Sequence, residues 1–127
     1  MKYRVFISHS AKDSMLAEDL RRRLKDVGAD FVTADIADTA ETGSVRRRIR
    51  DVISKSSEVI ALLTDNSVSN KWMQYEVGIA DALEVPVTFV IVNEGVEQQL
   101  PIFGKQFVRY ADLPQYLSSL KKRAKAA

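Results

Sequence analysis

The chain has 127 residues, a net charge of +2 and no cysteine, which limits it to one domain without a disulfide framework or a thiolate metal site. No apolar run reaches the roughly 18 residues that a membrane-spanning helix needs, so we expect no membrane partner. The missing cysteines agree with a cytoplasmic location, and the small net charge gives no reason to expect a nucleic-acid partner.

The first half of the chain predicts two strands, each followed by an amphipathic helix. Strand, helix, strand and helix cover, in chain order, Tyr3–Ser8, Ser14–Val27, Phe31–Ile36 and the residues after Ser44. Gly28 suits the end of the first helix, and Ser44 can serve as the N-cap of the second. The polar segment Ala37–Gly43 is predicted to be a loop.

The second half continues the alternation. Glu58–Thr64 and Val87–Val92 are short, nearly continuous apolar runs, which are typical of strands covered on both faces. Lys71–Glu84 predicts the helix between them. After a loop, Gln106–Tyr110 can form a short last strand, and Asp112 can cap a final helix.

This order of elements predicts an α/β fold, a flavodoxin-like three-layer sandwich. We expect a five-stranded, mainly parallel sheet in the order 2-1-3-4-5 with helices on both faces. The single domain occupies residues 1–120, and residues 121–127 form a basic C-terminal tail that frays. In such a sheet, ligands bind beyond the carboxyl ends of the strands, at the switch point between strands 1 and 3.

Glu76 is the most informative residue, because it places a carboxylate where its helix should be apolar. Its neighbours on the same helix face, three and four positions away, are apolar: Trp72, Met73, Ile79 and Ala80. An ionised carboxylate in such surroundings is costly unless it has a partner or a function. A salt bridge to an arginine of a neighbouring helix is the structural alternative to a functional site.

The loop after the first strand has two interpretations. Ser10 and Asp13 have the spacing of a capping box and can simply start the first helix. The same helix start, with Lys12 beside it, can also attract an anion. His9 is the only histidine, and no second histidine or nucleophile pattern supports a catalytic triad or a metal site.

With these residues the chain resembles a Toll/interleukin-1 receptor (TIR) domain of the compact bacterial type. Val5–Asp13 resembles the first box of the family, a strand ending in F-I-S that is followed by an aromatic residue or histidine and then by S-x-K-D. Gly43–Val45 resembles the end of the mobile BB loop, and Ser69–Ala80 resembles the S-x-x-W-x-x-x-E-x-G-x-A helix. The likeness runs from Tyr3 to Leu120.

The resemblance implies an enzyme of immune or stress signalling in bacterial defence. Many TIR domains are NAD⁺ nucleosidases that release nicotinamide and either ADP-ribose or, as ADP-ribosyl cyclases, a cyclic variant. Their essential glutamate is the one in W-x-x-x-E, here Glu76. NAD⁺ is then a substrate, and no cofactor is expected. The resemblance further implies five substrate-binding residues: Trp72, Ser8, His9, Ser10 and Lys12.

Active members of the family often need self-association, so other TIR domains are expected partners. The loop that would mediate this assembly contains Asp38, Glu41 and Gly43. Two other functions stay open from the sequence. One is a non-catalytic module that signals only through TIR–TIR assembly. The other is a nucleotide- or nucleic-acid-binding domain that uses the arginine and lysine clusters.

Overall fold

A computed structural model of the chain describes residues 2–33, 43–67, 70–99 and 106–126. Within these ranges, five strands form one sheet: β1 (Arg4–Ser8), β2 (Asp30–Thr33), β3 (Glu58–Leu63), β4 (Val87–Ile91) and β5 (Gln106–Arg109). Their order is β2-β1-β3-β4-β5, and all four neighbouring pairs are parallel. The predicted flavodoxin-like architecture and its strand order are therefore confirmed.

Helices cover both faces of the sheet. The α-helices within the described ranges are α1 (Ser14–Asp26), α2 (Gly43–Ser54), α3 (Lys71–Ala82) and α4 (Leu113–Ala126). Short 3₁₀ turns cover Ala11–Asp13, Val96–Gln99 and Tyr110–Asp112. Successive strand side chains point to opposite faces, so Val5 and Ile7 of β1 pack with α1 and α4, whereas Phe6 packs with α2 and α3. The result is the predicted three-layer sandwich.

The central strand β3 explains the apolar run seen in the sequence. All of its residues are buried, between β1 on one side and β4 on the other. Ile60 and Leu62 belong to the layer under α1 and α4, and Ala61 and Leu63 to the layer under α2 and α3. Each large aliphatic side chain buried in this way stabilises the fold by roughly 1.5–3 kcal/mol.

Most predicted element boundaries agree with the structure to within two residues, and two of the predictions differ in kind or extend outside the described residues. Helix α2 begins at Gly43, so Ser44 is already helical and its prediction as the N-cap is wrong, because an N-cap has non-helical backbone. Strand β2 ends at Thr33 among the described residues. The rest of the predicted strand and loop, residues 34–42, lies outside the described residues.

Residues 121–126 of the predicted basic tail are helical, since α4 continues to Ala126. The sequence shows only a run of cations here. The structure shows that Arg123 points back to the sheet, where its guanidinium binds Glu58, 65 positions earlier in the chain. A tertiary contact therefore extends the helix beyond the point where its apolar stripe ends.

Glu58 is the centre of a polar network at the amino edge of the sheet. Its buried carboxylate accepts hydrogen bonds from the hydroxyls of Tyr3 and Tyr116, and from Arg123 Nη2 at 3.0 Å. Thr88 Oγ1 lies 3.0 Å from the Tyr116 hydroxyl oxygen. Burial and the charge of Glu58 raise the pKa of Tyr116 well above its usual range, so the hydroxyl remains a donor. The network joins α4 to β3 at two points, Tyr116 in the first turn of the helix and Arg123 near its end.

Two helices end in the same way, by a Schellman motif. After α1, Gly28 has φ +82°, and the Ala29 N–H binds the Leu24 carbonyl, which confirms the predicted role of Gly28. After α3, the equivalent position is Glu84, with φ +60°, and the Val85 N–H binds the Ala80 carbonyl. A side chain other than glycine is strained in this left-handed conformation.

We expect Arg123→Ala to lower the free energy of unfolding by about 1–2 kcal/mol, because it removes a charge-assisted hydrogen bond to the buried Glu58 carboxylate. Arg123 is 40% exposed, so water screens part of the effect. Urea unfolding measures the change. Lys122→Ala, an exposed position on the same helix, is the control and should change stability by less than about 0.5 kcal/mol. Equal effects of the two variants would contradict the role of the Glu58 network.

Glu84→Gly should raise the free energy of unfolding by about 0.5–1 kcal/mol. Glycine is not strained at positive φ, and this gain exceeds the entropic cost of ordering a glycine. Ala82→Gly, two residues earlier and exposed in the last turn of α3, should have the opposite sign and similar size. Thermal unfolding of the two variants beside the wild type tests the pair. A destabilised Glu84→Gly would refute the left-handed conformation at this position.

Candidate functional site

The site forms where the carboxyl end of β1 meets helix α3. Ser8 is the last residue of β1, next to Ala61 of the central strand. Its hydroxyl donates a hydrogen bond of 2.6 Å to Oε1 of Glu76 on α3. Both side chains are buried, with 1% exposure for Ser8 and 5% for Glu76. The sequence pointed to Glu76 and Ser8 separately, and the structure brings them together at the predicted switch point.

The surroundings of Glu76 disfavour its charge. Met73 and Ala80 beside it are buried, and Trp72 and Ile79 are half-buried. Burial raises the pKa of Glu76 to about 7, and the hydrogen bond from Ser8 acts in the opposite direction by stabilising the carboxylate. Among the described residues, no arginine or lysine is paired with Glu76. The salt-bridge alternative therefore has no support in this part of the chain.

Trp72 lies one helical turn before Glu76, as predicted, and is partly anchored in the core. Its ring packs against the apolar layer under α2 and α3. It meets Tyr75 edge to face, with ring centroids 5.7 Å apart and planes at 87°. The guanidinium of Arg46 on α2 stands 5.7 Å above the Tyr75 ring. The sequence analysis missed both Tyr75 and Arg46. The i,i+3 spacing from Trp72 could have indicated Tyr75, whereas only the contact between α2 and α3 relates Arg46 to the site.

The loop after β1 is shaped by its own hydrogen bonds. Ser10 Oγ accepts the backbone N–H of Lys12 at 3.2 Å, so Ser10 caps the 3₁₀ turn that leads into α1. His9 Nδ1 lies 2.7 Å from the Ser10 carbonyl oxygen, which can only accept, so Nδ1 carries the proton. His9 is half-buried and Lys12 is exposed. Ser10 therefore caps this turn, whereas the N-cap position of α1 itself is occupied by Asp13.

Asp13 has a role that the sequence analysis did not find. Its side chain makes no capping hydrogen bond, so the reciprocal half of the predicted capping box is wrong. Instead, the buried carboxylate accepts the hydroxyl of Thr64 at 2.6 Å and the side-chain amide of Asn66 at 2.8 Å. Thr64 and Asn66 follow β3, and only the parallel pairing of β1 and β3 brings them near Asp13.

The predicted self-association loop lies largely outside the described residues. This applies to Asp38 and Glu41, whereas Gly43 is the first residue of α2. Among the described residues, no group of three histidine or acidic side chains could hold a metal ion. No helix in these ranges is long and apolar enough to cross a membrane.

Known structures share this architecture. The TIR domain of the Toll-related receptor TRR-2 from Hydra magnipapillata aligns with a TM-score of 0.72 at 16% identity, covering 95% of this chain and 97% of that one. The CMP N-glycosidase BcmB from Clostridium botulinum aligns with a TM-score of 0.60 at 19% identity, covering 92% and 97%. The TIR domains of the activated Roq1 resistosome, which recognises the pathogen effector XopQ, align with a TM-score of 0.56 at 16% identity, covering 98% and 85%.

A comparison of the sequence with curated proteins finds no match. The family model of the TIR domain, in contrast, matches residues 5–125, which is nearly the whole chain. This match includes the strand with Ser8 and the helix with Glu76, so the fold and the sequence lead to the same assignment. The chain belongs to the TIR domain family.

Proposed function

We propose that this TIR domain is an NAD⁺ glycohydrolase that cleaves the nicotinamide–ribose bond, with Glu76 as the catalytic residue. The observation that carries the proposal is the buried Glu76 carboxylate, which is held by Ser8 at the carboxyl edge of the sheet and has a pKa raised to about 7. A module that only recruits partners has no need for a carboxylate in this costly position, since strongly perturbed acids concentrate at functional sites.

The chemistry needs one carboxylate. When the bond between the ribose C1′ and the pyridinium nitrogen breaks, the electron pair goes to the nitrogen and nicotinamide leaves as a neutral molecule. Positive charge then develops on the ribose, as in the oxocarbenium-like transition state of glycoside hydrolysis. An ionised Glu76 would offset this charge and orient the ribose hydroxyls. Water adds to C1′ and releases a proton, giving ADP-ribose, or a nitrogen of the adenine ring adds instead and gives a cyclic product.

Ser8 would keep Glu76 in the productive orientation. Its hydrogen bond to Oε1 fixes the carboxylate and favours the ionised form, while Oε2 would accept a ribose hydroxyl. The exposed part of Trp72 would stack on an aromatic ring of the substrate. His9, Ser10 and Lys12 would line the ribose and phosphate side, where Lys12 supplies the positive charge.

The structural comparisons support the reaction class. BcmB shares the fold and is an N-glycosidase acting on a nucleotide, CMP, so related architecture can accommodate cleavage at the anomeric carbon of a ribose. The Roq1 TIR domains belong to a resistosome assembly. We therefore include self-association as the activating step, with other TIR domains as partners, and a cytoplasmic location in defence signalling, where NAD⁺ is available.

Glu76→Ala should reduce nicotinamide release from NAD⁺ by about a hundredfold or more, because it removes the charge that stabilises the transition state. Chromatography of the reaction at high protein concentration measures nicotinamide and the nucleotide product together, which also distinguishes ADP-ribose from a cyclic form. A dilution series tests self-association, since activity per molecule should rise with concentration.

Two controls make this experiment decisive. Glu84→Ala removes an exposed carboxylate just beyond the same helix and should retain wild-type release. Glu76→Gln keeps the shape of the side chain without its charge and should be as inactive as Glu76→Ala. Nicotinamide release at the wild-type rate by both Glu76 variants would overturn the proposal. The absence of release from a folded, self-associated wild type would overturn it as well.

The raised pKa of Glu76 also predicts a pH-dependent cost in stability. Below about pH 4.5 the carboxyl is protonated in both the folded and unfolded states, whereas above about pH 7 the fold must bury its charge. This group therefore favours the folded state at low pH, and that contribution is lost as the pH rises through 7. The full difference is of the order of 3 kcal/mol.

Glu76→Gln should accordingly be more stable than the wild type at pH 8.5, and the advantage should shrink toward zero near pH 4. Urea unfolding across this range measures the free energy of unfolding of both proteins. Subtracting one from the other cancels the contribution of the titrating groups that they share. A constant difference between the two proteins would mean that Glu76 has an ordinary pKa. The same pKa predicts that NAD⁺ cleavage increases with pH through about 7, because the ionised form is the active one.

A further inference from the structure

Asp13, Thr64 and Asn66 form a polar group that we name the Asp13 clamp. Oδ2 of Asp13 accepts the Thr64 hydroxyl at 2.6 Å, and Oδ1 accepts the Asn66 amide at 2.8 Å. Thr64 is 2% exposed and Asp13 6% exposed. Among the described residues the donors to Asp13 are neutral, and a buried carboxylate with neutral donors alone is expensive to maintain, so its presence in a small domain needs a reason.

The clamp is supported on both sides. Asp13 occupies the N-cap position of α1, where the positive end of the helix dipole favours its charge. On the other side, Ser67 Oγ accepts the Thr64 backbone N–H at 3.1 Å and donates to the Leu62 carbonyl at 2.7 Å, so the turn after β3 is internally fixed. The clamp therefore joins two rigid parts.

These two parts carry the two halves of the candidate site. The loop that ends at Asp13 directly follows Ser8, the last residue of β1, and the Asp13 N–H binds the Ser10 carbonyl at 2.9 Å within it. The turn that contains Thr64 leads to α3, which carries Glu76. The sheet aligns the strand ends, and among the described residues the clamp links the loop to the turn beyond those ends through side chains.

We propose that Asp13 is a positioning residue for the NAD⁺ cleavage proposed above, on which this inference rests. Through Thr64 and Asn66, it holds the loop after β1 against the turn after β3, so that the Ser8 hydroxyl meets the Glu76 carboxylate. Asp13 acts through these residues and does not touch the substrate.

Asp13→Ala and Asp13→Asn separate this role from the charge of Asp13. The side-chain oxygen of asparagine at this position can still accept a hydrogen bond from the Thr64 hydroxyl. The Asn66 amide can rotate so that its own oxygen accepts a hydrogen bond from the new NH₂ group. The asparagine variant therefore keeps the clamp without its charge, whereas alanine removes the clamp. The primary readout is the titration of the Glu76 side-chain carboxyl by ¹³C NMR, in the wild type and both variants.

The two explanations predict opposite signs. If Asp13 positions Ser8, Asp13→Ala weakens the Ser8 hydrogen bond and raises the pKa of Glu76. The upper limit is the pKa of Glu76 in Ser8→Ala, where this hydrogen bond is absent. Asp13→Asn leaves the pKa of Glu76 unchanged or lower. If Asp13 acted only through its charge, both variants would lower the pKa of Glu76. A pKa of Glu76 that does not rise in Asp13→Ala overturns the proposal.

Activity and stability complete the test. Asp13→Ala should lower kcat for nicotinamide release about tenfold with KM within about twofold, and Asp13→Asn should restore most of kcat. Glu58→Gln, which perturbs a buried carboxylate at the opposite edge of the sheet, is the control for general destabilisation and should not shift the Glu76 titration. If Asp13→Ala does not fold, Thr64→Val removes one clamp hydrogen bond and should shift the titration in the same direction by less.

The design distinguishes the two possible failures. A wild type without nicotinamide release refutes the proposed function, and the Glu76 titration still decides whether the clamp positions Ser8. Release that depends on Glu76 but is unaffected by Asp13→Ala refutes the clamp and leaves the proposed function standing.

Discussion

Burial of the Glu76 carboxylate is the constraint on which the rest of the site depends. Water would solvate this charge far better than Met73 and Ala80 do, and Ser8 offers a single hydroxyl in return. Such a group keeps its position only if the structure around it is rigid. The parallel β1–β3 pair and the helix laid across it supply that rigidity, and the Asp13 clamp extends it into the loops.

Two buried glutamates at opposite edges of the sheet have opposite effects on stability. At the carboxyl edge, Glu76 destabilises the fold when it is ionised, which is the form that its proposed chemistry requires. At the amino edge, Glu58 is also buried but is fully provided with donors, from two tyrosines and Arg123. The same residue type thus destabilises the fold at one position and stabilises it at another, and its hydrogen-bond partners determine which.

The sequence was sufficient for what depends on local patterns. The apolar run of β3 and the alternation of strands and amphipathic helices predicted the sheet and its order, and helical spacing alone marked Glu76 as unusual. Contacts between distant segments could not be predicted from the sequence. The partners of Asp13 lie more than 50 positions away, and Arg123 looked like part of a solvated tail because Glu58 is 65 positions away.

The Glu58 network also brings the two ends of the described chain together. Tyr3, near the start of the described chain, and Arg123, near its end, meet at one carboxylate. Both ends therefore leave the molecule on the side away from Glu76. A protein segment fused at either end would therefore lie away from the candidate site.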